Sequence, residues 1–285
     1  MNTGEKMASF DFEMVGKIGS MALIRREDND IDHNRFSRLG AELRPGMIWV
    51  TSGATEIGRL DYLRRSGREL IGDMDDVKAD YASQGQSILM ENYRRYIKDA
   101  YGIRQVLVEH QHFNDPQKRE FIRRLLLRAA MQNAIPIVNY NDSVSFEENR
   151  RMELADYANK SVGNHTPVVE CVDNDETAAV ICTLVRARIL LIMTSVDGIY
   201  EDVNDRTTLI NEISGKDTEE VLQNIEASKA MCVGASRTGA NGARAKLEFI
   251  TEPVKQGTKV IIGNAKYKIS ELIYEKVPCT VIGVR

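Results

Sequence analysis

Ile189-Leu190-Leu191-Ile192-Met193-Thr194-Ser195-Val196-Asp197-Gly198 is the stretch on which the fold turns. Five apolar residues in a row are far short of the roughly 20 needed to span a bilayer as a helix. They suit a strand buried on both faces, as in a parallel sheet covered by helices. The run then breaks into small and polar residues, where a chain leaving a strand would turn. Outward from it, comparable short apolar or β-branched runs occur at Phe12–Ile18, Met47–Thr51, Gln105–Glu109, Ile135–Asn139, Lys259–Ile262 and Thr280–Val284. Helical stretches fall between them: Asp75–Ala100, Pro116–Gln132, Asp175–Ala187 and Ala243–Lys255. Asp115 followed by Pro116 is a strong helix start, a capping side chain before a proline at the first helical position. Alternating strands and helices predict an α/β fold, a three-layer α/β/α sandwich with a mainly parallel central sheet. The segment from Ser145 to Val172 stands apart: it is polar and irregular, with a helical patch only around Glu147–Tyr157.

The bulk properties narrow the function. The 285 residues suffice for one large α/β domain with a sizeable core. Apolar residues make up 42% and charged residues 28%, and the net charge is −4. That balance offers no global attraction to nucleic acid or to an anionic membrane, and the expectation is no nucleic-acid and no membrane partner. Arg123-Arg124 and Arg150-Arg151 read as solvated helix faces. The four cysteines (Cys171, Cys182, Cys232 and Cys279) form no C-x-x-C pair and no zinc-site spacing. Reduced thiols in a cytoplasmic protein are the simplest reading, and Met1 to Glu13 has no apolar core of a signal peptide.

In open α/β sheets ligands bind beyond the carboxyl ends of the strands, so the residues just after each run carry the chemistry. Lys17-Ile18-Gly19-Ser20 could bring an ammonium and backbone N–H groups to a phosphate; taken alone, a surface lysine before a turn is the simpler reading. Ser52-Gly53-Ala54 leaves room for a ligand at a helix N-terminus, or needs glycine only for its backbone. Asn139-Tyr140-Asn141-Asp142 places two amides and a carboxylate at one strand end. They would hold a small polar substrate, or bond their own turn. One of Asp173-Asn174-Asp175 is expected to cap the next helix, and an N-cap does not require three such residues. Thr194-Ser195-Val196-Asp197-Gly198 is a turn or the lining of a nucleotide pocket. Gly239-Ala240-Asn241-Gly242, ahead of Lys246, is a glycine-rich loop entering a helix, an arrangement suited to phosphate. Neither G-x-x-x-x-G-K-[ST] nor G-x-G-x-x-G occurs in the chain.

With these stretches in order, the chain resembles the amino-acid kinase superfamily and, within it, the glutamate 5-kinase branch. The resemblance is carried by Lys17-Ile18-Gly19-Ser20, Thr51-Ser52-Gly53-Ala54 with Gly58-Arg59, Gly85-Gln86-Ser87, Asn139-Tyr140-Asn141-Asp142, Asp173-Asn174-Asp175, Val196-Asp197-Gly198-Ile199-Tyr200 and Gly242-Ala243-Arg244-Ala245-Lys246. It implies transfer of a phosphoryl group from ATP, with Mg2+, to the side-chain carboxylate of L-glutamate, a step toward proline. It further implies catalytic roles for Lys17, Asp175 and Lys246, the lysines on the phosphates and Asp175 holding them. Ser52, Gly53, Asn139, Asn141, Asp142 and Asn174 would bind the amino acid. Lys17, Gly19, Ser20, Thr194, Ser195, Asp197, Gly239, Gly242 and Lys246 would line the nucleotide. No protein side chain is expected to hold a metal directly, and no histidine is given a role. The resemblance implies a single kinase domain over residues 1–285 without the PUA domain, acceptor binding mainly in the N-terminal half, nucleotide binding mainly in 173–285, and a homo-oligomer, dimer or tetramer.

Three departures bear on the acceptor more than on the reaction type. The connection from Asp142 to Asp173 is longer than the family's, and long connections of this kind are often functional. The family's Thr-Asp at the nucleotide strand is Thr194-Ser195 here, and its Thr-Gly-Gly loop is Ala240-Asn241-Gly242. A kinase of another small acceptor, and a catalytically silent ligand sensor on the same fold, are the competing expectations.

Overall fold

The computed structural model describes residues 10–25, 27–145, 147–160, 168–171, 173–202, 204–232 and 242–285. Strand β1 (Phe12–Ile18) leads through a small hairpin, β2 (Ile24–Arg25) and β3 (Asp30–Ile31), into helix α1 (His33–Glu42). Then come β4 (Met47–Thr51), α2 (Ala54–Ser66), α3 (Met74–Tyr96), β5 (Gly102–Val108), the short α4 (Gln111–Asn114), α5 (Pro116–Met131) and β6 (Ala134–Tyr140). Helices α6 (Glu147–Lys160) and α7 (Asn174–Leu184) precede β7 (Ala187–Thr194) and a second hairpin, β8 (Ile199–Tyr200) with β9 (Leu209–Ile210). The chain closes with β10 (Glu212–Gly215), α8 (Thr218–Met231), α9 (Ala243–Phe249), α10 (Thr251–Lys255), β11 (Lys259–Asn264), α11 (Ile269–Ile273) and β12 (Cys279–Val284).

Eight strands form one sheet in the order β10-β12-β11-β7-β1-β4-β6-β5. From β11 to β5 every pairing is parallel; β12 runs antiparallel to β11, and β10 is parallel to β12. Adjacent residues of each strand feed opposite faces. Ile48 and Val50 share one buried cluster with Ile122 and Leu126 of α5 and Val221 and Ile225 of α8, whereas Met47 and Trp49 share the other with Phe36 of α1 and Leu89 of α3. Two buried layers of helix–sheet contact make the three-layer sandwich that the strand and helix alternation predicts.

Differences from the sequence reading have local causes. The helix expected over Asp175–Ala187 ends at Leu184, because Arg186 takes a left-handed conformation (φ 50°) and turns the chain into β7. That turn carries no glycine to announce it. The helix expected over Ala243–Lys255 splits at Ile250. Pro253 lacks the N–H that would bond the Phe249 carbonyl, and its ring crowds that turn. The patch at Glu147–Tyr157 is a full helix ending at Lys160.

Helices α2 and α3 touch backbone to backbone. A Cβ placed on Gly58 would lie 1.8 Å from the Tyr81 carbonyl oxygen, and one on Gly85 would lie 1.8 Å from that of Ala54. Neither neighbour is a side-chain end that could swing away. Gly85→Ala is therefore expected to force the helices apart and lower stability by about 3 kcal/mol, the upper range for overpacking. Denaturant unfolding checks this, and an unchanged midpoint would contradict the contact.

Candidate phosphoryl-transfer site

The strand order places β1 between β4 and β7, so the chain leaves β1 to one side first and returns to the other later. A crevice opens at such a switch point beyond the carboxyl ends of the strands. Lys17, near the end of β1, stands there. Opposite it is the first turn of α7, where Asp173 caps the helix by accepting from the backbone N–H groups of Asp175 (2.7 Å) and Glu176 (3.1 Å). The cap leaves Asn174 and Asp175 to project from the first turn, where the helix dipole favours a carboxylate.

Asp175 is almost wholly buried and bridges two lysines. Its Oδ1 lies 2.6 Å from Lys17 Nζ and its Oδ2 2.9 Å from Lys246 Nζ, the lysine side chains being only 12% and 20% exposed. Burial alone would raise the Asp175 carboxyl. The ammoniums of Lys17 and Lys246 override it and hold the pKa at about 2. Asp173 goes the other way, raised by its own burial and then by the neighbouring Asp175 charge. Each lysine spends one N–H direction on Asp175 and keeps others for a ligand. The arrangement is two preorganised positive charges at one point, fixed by an ionised carboxylate.

Beside the lysines runs a chain of amides. Asn174 Nδ2 donates to Ser52 Oγ (2.9 Å) and to Asn139 Oδ1 (3.2 Å), and Asn139 Nδ2 donates to Gln86 Oε1 (3.0 Å). Two buried atoms of this chain have no partner among the described residues: Gln86 Nε2, a donor, and Asn174 Oδ1, an acceptor. Orphaned buried polar atoms are uncommon and here mark where a ligand's polar groups would go. Gly53 caps α2 with φ 105°, a conformation that favours glycine.

Two expected acceptor residues lie outside the chain of amides. Asn141 is turned to Glu109, donating from Nδ2 to Oε1 at 3.0 Å. Asp142 is set 3.7 Å from Lys78 Nζ of α3. Burial raises its carboxyl, partly countered by Lys78 and Arg150. On the other side of β1, Gly19 donates its N–H to the Met193 carbonyl at 3.3 Å, and Ser20 opens a single 3-10 turn. Thr194 Oγ1 accepts from Val196 N at 3.0 Å, which is a turn contact. Asn264 Nδ2 donates to the Ser195 carbonyl at 3.2 Å, and Asp197 pairs with Lys266 at 2.9 Å. Gly242 caps α9, the helix that carries Lys246; Gly239 lies outside the described residues. Among the described residues no three His, Cys, Asp or Glu side chains gather as a metal cage. None of the described helices is long and apolar enough to cross a membrane, and all four cysteines are free.

The amino acid kinase family profile matches residues 14–264. The chain belongs to the amino acid kinase family. Its similar proteins include the glutamate 5-kinase of Enterococcus faecalis, 29% identical over 89% of this chain and 87% of that one. The glutamate 5-kinase of Listeria welshimeri is 30% identical over 77% of this chain and 71% of its own. That of Streptococcus suis is 26% identical over 89% of this chain, which spans 64% of the relative's length. In fold the chain is similar to UMP kinase from Ureaplasma parvum, with a TM-score of 0.50 and 11% identity over 96% of this chain and 98% of that one. For this amino acid kinase, sequence reasoning assigned no role to Gln86, Lys78, Glu109 or Lys266. Gln86 had a signal, since it follows the glycine that must touch α2. Of the other three, Lys78 sits on α3 and Glu109 and Lys266 just after β5 and β11, where the spacing carries no mark of the site.

Proposed function

We propose that the chain transfers the γ-phosphoryl group of MgATP to the side-chain carboxylate of L-glutamate, giving an acyl phosphate and ADP. The observation that carries this reading is the buried Asp175 carboxylate bridging Lys17 and Lys246 at the seam of the sheet. A carboxylate acceptor is already ionised, so no general base is needed. Its oxygen forms the new bond to Pγ while the bond from Pγ to the β,γ-bridging oxygen breaks, and ADP takes that electron pair. Charge spreads over the phosphoryl oxygens in the transition state, and catalysis is positioning plus charge stabilisation. Lys17 and Lys246 supply that stabilisation, and Asp175 fixes them so that little reorganises during reaction. Mg2+ would come as part of the MgATP substrate and would supply charge neutralisation on its phosphates. Ser52, Asn139, Asn174 and Gln86 orient the acceptor carboxylate, with the residues from 173 onward serving the nucleotide.

A second reading, phosphorylation of a different small acceptor, draws on α6, which the long connection between β6 and α7 adds and which Glu153 ties to His110. One assay separates the readings: MgATP with a panel of acceptors, following ADP release with hydroxylamine present to trap acyl phosphate. Hydroxamate with L-glutamate is the expected result. ADP release only with an acceptor of another class would replace the glutamate reading with the second.

A further inference from the structure

Trp49, the single tryptophan of the sequence, starts a line of hydrogen bonds that runs through the interior to the site. Its Nε1 donates to Tyr93 Oη at 2.9 Å, the Tyr93 hydroxyl donates to Thr51 Oγ1 at 2.8 Å, and the Thr51 hydroxyl donates to the Ser52 carbonyl at 3.0 Å. Chemistry fixes the direction of the line. An indole N–H can only donate, so the Tyr93 oxygen accepts and its one proton goes to Thr51. Thr51 has one hydroxyl proton in turn, and it reaches the backbone at Ser52. Trp49, Tyr93 and Thr51 are all buried. Burial pushes the Tyr93 hydroxyl far above its ordinary range, so the phenol keeps the proton on which the line depends.

The surrounding elements hold this relay in place. Residues 49 and 51 share one face of β4, and Tyr93 meets that face from α3. The Phe36 ring packs edge-on to the Tyr93 ring at 5.1 Å. The indole lies against Gly16 of β1, where a Cβ would sit 2.2 Å from the ring. Packing alone would accept phenylalanine at position 93. A hydroxyl in this interior costs free energy unless it is bonded, and here its proton leads to the turn that carries Ser52. The β4–β6 pairing ends at Val50 and the β1–β4 pairing at Thr51. Ser52 stands beyond the last ladder pair, with its N–H on the Ile18 carbonyl at 3.2 Å and its carbonyl on the Thr51 hydroxyl. Its Oγ accepts from Asn174 Nδ2, which also reaches Asn139. The relay from the core and the chain of amides therefore join at Ser52.

We propose that Tyr93 is a positioning residue for the acceptor: through Thr51 it fixes the Ser52 backbone, and with it the hydroxyl and amides that orient the acceptor carboxylate. Tyr93 touches no substrate itself. The proposal rests on the glutamate reading above and adds to it a residue of α3 that acts from inside the core. Trp49, at the far end of the same line, then senses whether the acceptor is bound.

The test measures kcat and KM for L-glutamate and MgATP by ADP release, glutamate binding by calorimetry, and Trp49 fluorescence. It compares wild type with Tyr93→Phe, Thr51→Val and Thr51→Ser. Tyr93→Phe and Thr51→Val should each raise the glutamate KM about tenfold, less than the roughly 100-fold that a misplacement of about 1 Å brings. The KM for MgATP should stay within about twofold of wild type. Combining the two changes should add little to either, because both cut one line. Thr51→Ser, which keeps the hydroxyl, should restore the glutamate KM. Glutamate binding should shift Trp49 emission in wild type and Thr51→Ser and leave it unmoved in Thr51→Val, a signature that loss of packing alone would not produce. A wild-type glutamate KM in both Tyr93→Phe and Thr51→Val, whatever their thermal midpoints, overturns the relay and leaves the glutamate reading standing. Weakened glutamate binding in both variants, with no phosphoryl transfer by wild type, supports the relay and overturns the glutamate reading. Wild type that binds no glutamate overturns both.

Discussion

Lys246→Ala is expected to lower turnover by about 10³-fold or more while the fold survives. The magnitude follows from what a single positive charge on a transferring phosphoryl group contributes when it is held in place beforehand. Survival of the fold follows from position. Lys246 sits on α9, a helix of seven residues, with its ammonium at the edge of the crevice. Asp175 keeps Lys17 as a partner at 2.6 Å after the change, so no buried charge is abandoned. Steady-state ADP release gives the first quantity and the thermal midpoint the second. The KM for acceptor should move far less than kcat, because the lost interaction strengthens in the transition state. Turnover within tenfold of wild type would remove Lys246 from the proposed mechanism.

Asp175→Asn is expected to damage stability and turnover together. An amide cannot compensate two ammoniums, and Lys17 and Lys246 would then repel across a nearly dry site. Breaking a buried pair from one side costs about 3–5 kcal/mol, and the partial exposure of both lysines argues for the lower end. The pH dependence gives a sharper signature. Burial pushes the Asp175 carboxyl up, but Lys17 and Lys246 hold it at about 2 in the folded chain, below an ordinary aspartate near 4. A depressed folded pKa contributes stability that is complete above the unfolded value and is lost as the pH falls through the folded one. By that linkage the contribution is roughly 2 kcal/mol. The stability gap between wild type and Asp175→Asn should thus be widest above about pH 4 and narrow toward pH 2. Chemical unfolding across that range measures it. A gap that stays constant would mean that the carboxylate does not titrate as the lysine bridge requires.

Much of this site was legible in the sequence because the strands were. Buried parallel strands are nearly uniform apolar runs, so β1 and β4 were bounded correctly and the residues following them could be picked out. Lys17 alone read more simply as a surface lysine. Its burial depends on α7 folding back over β1, which no local pattern shows. The same holds for the chain of amides. Ser52, Asn139 and Asn174 were singled out one by one, and only the fold brings them into contact. Asn141 was grouped with Asn139, since positions two apart share a face while the chain stays extended, but β6 ends at Tyr140 and Asn141, past that end, is turned to Glu109 instead. The edge strand β5 begins earlier than its apolar core suggested, since Gly102 and Arg104 give an edge strand little hydrophobic signature. Helix α8 also escaped the sequence reading, although Asp217 caps it by accepting from Glu220 N.

The contacts His110–Glu153, Asn114–Val169 and Tyr140–Ser145, which tie the connection between β6 and α7 to the scaffold, have a consequence for how such a protein diversifies. Each is made by a side chain of the scaffold, and none belongs to a strand pairing of the central sheet. The segment is therefore an exchangeable cassette. Drift or recombination within it would leave the sheet and the lysine bridge on β1, α7 and α9 untouched.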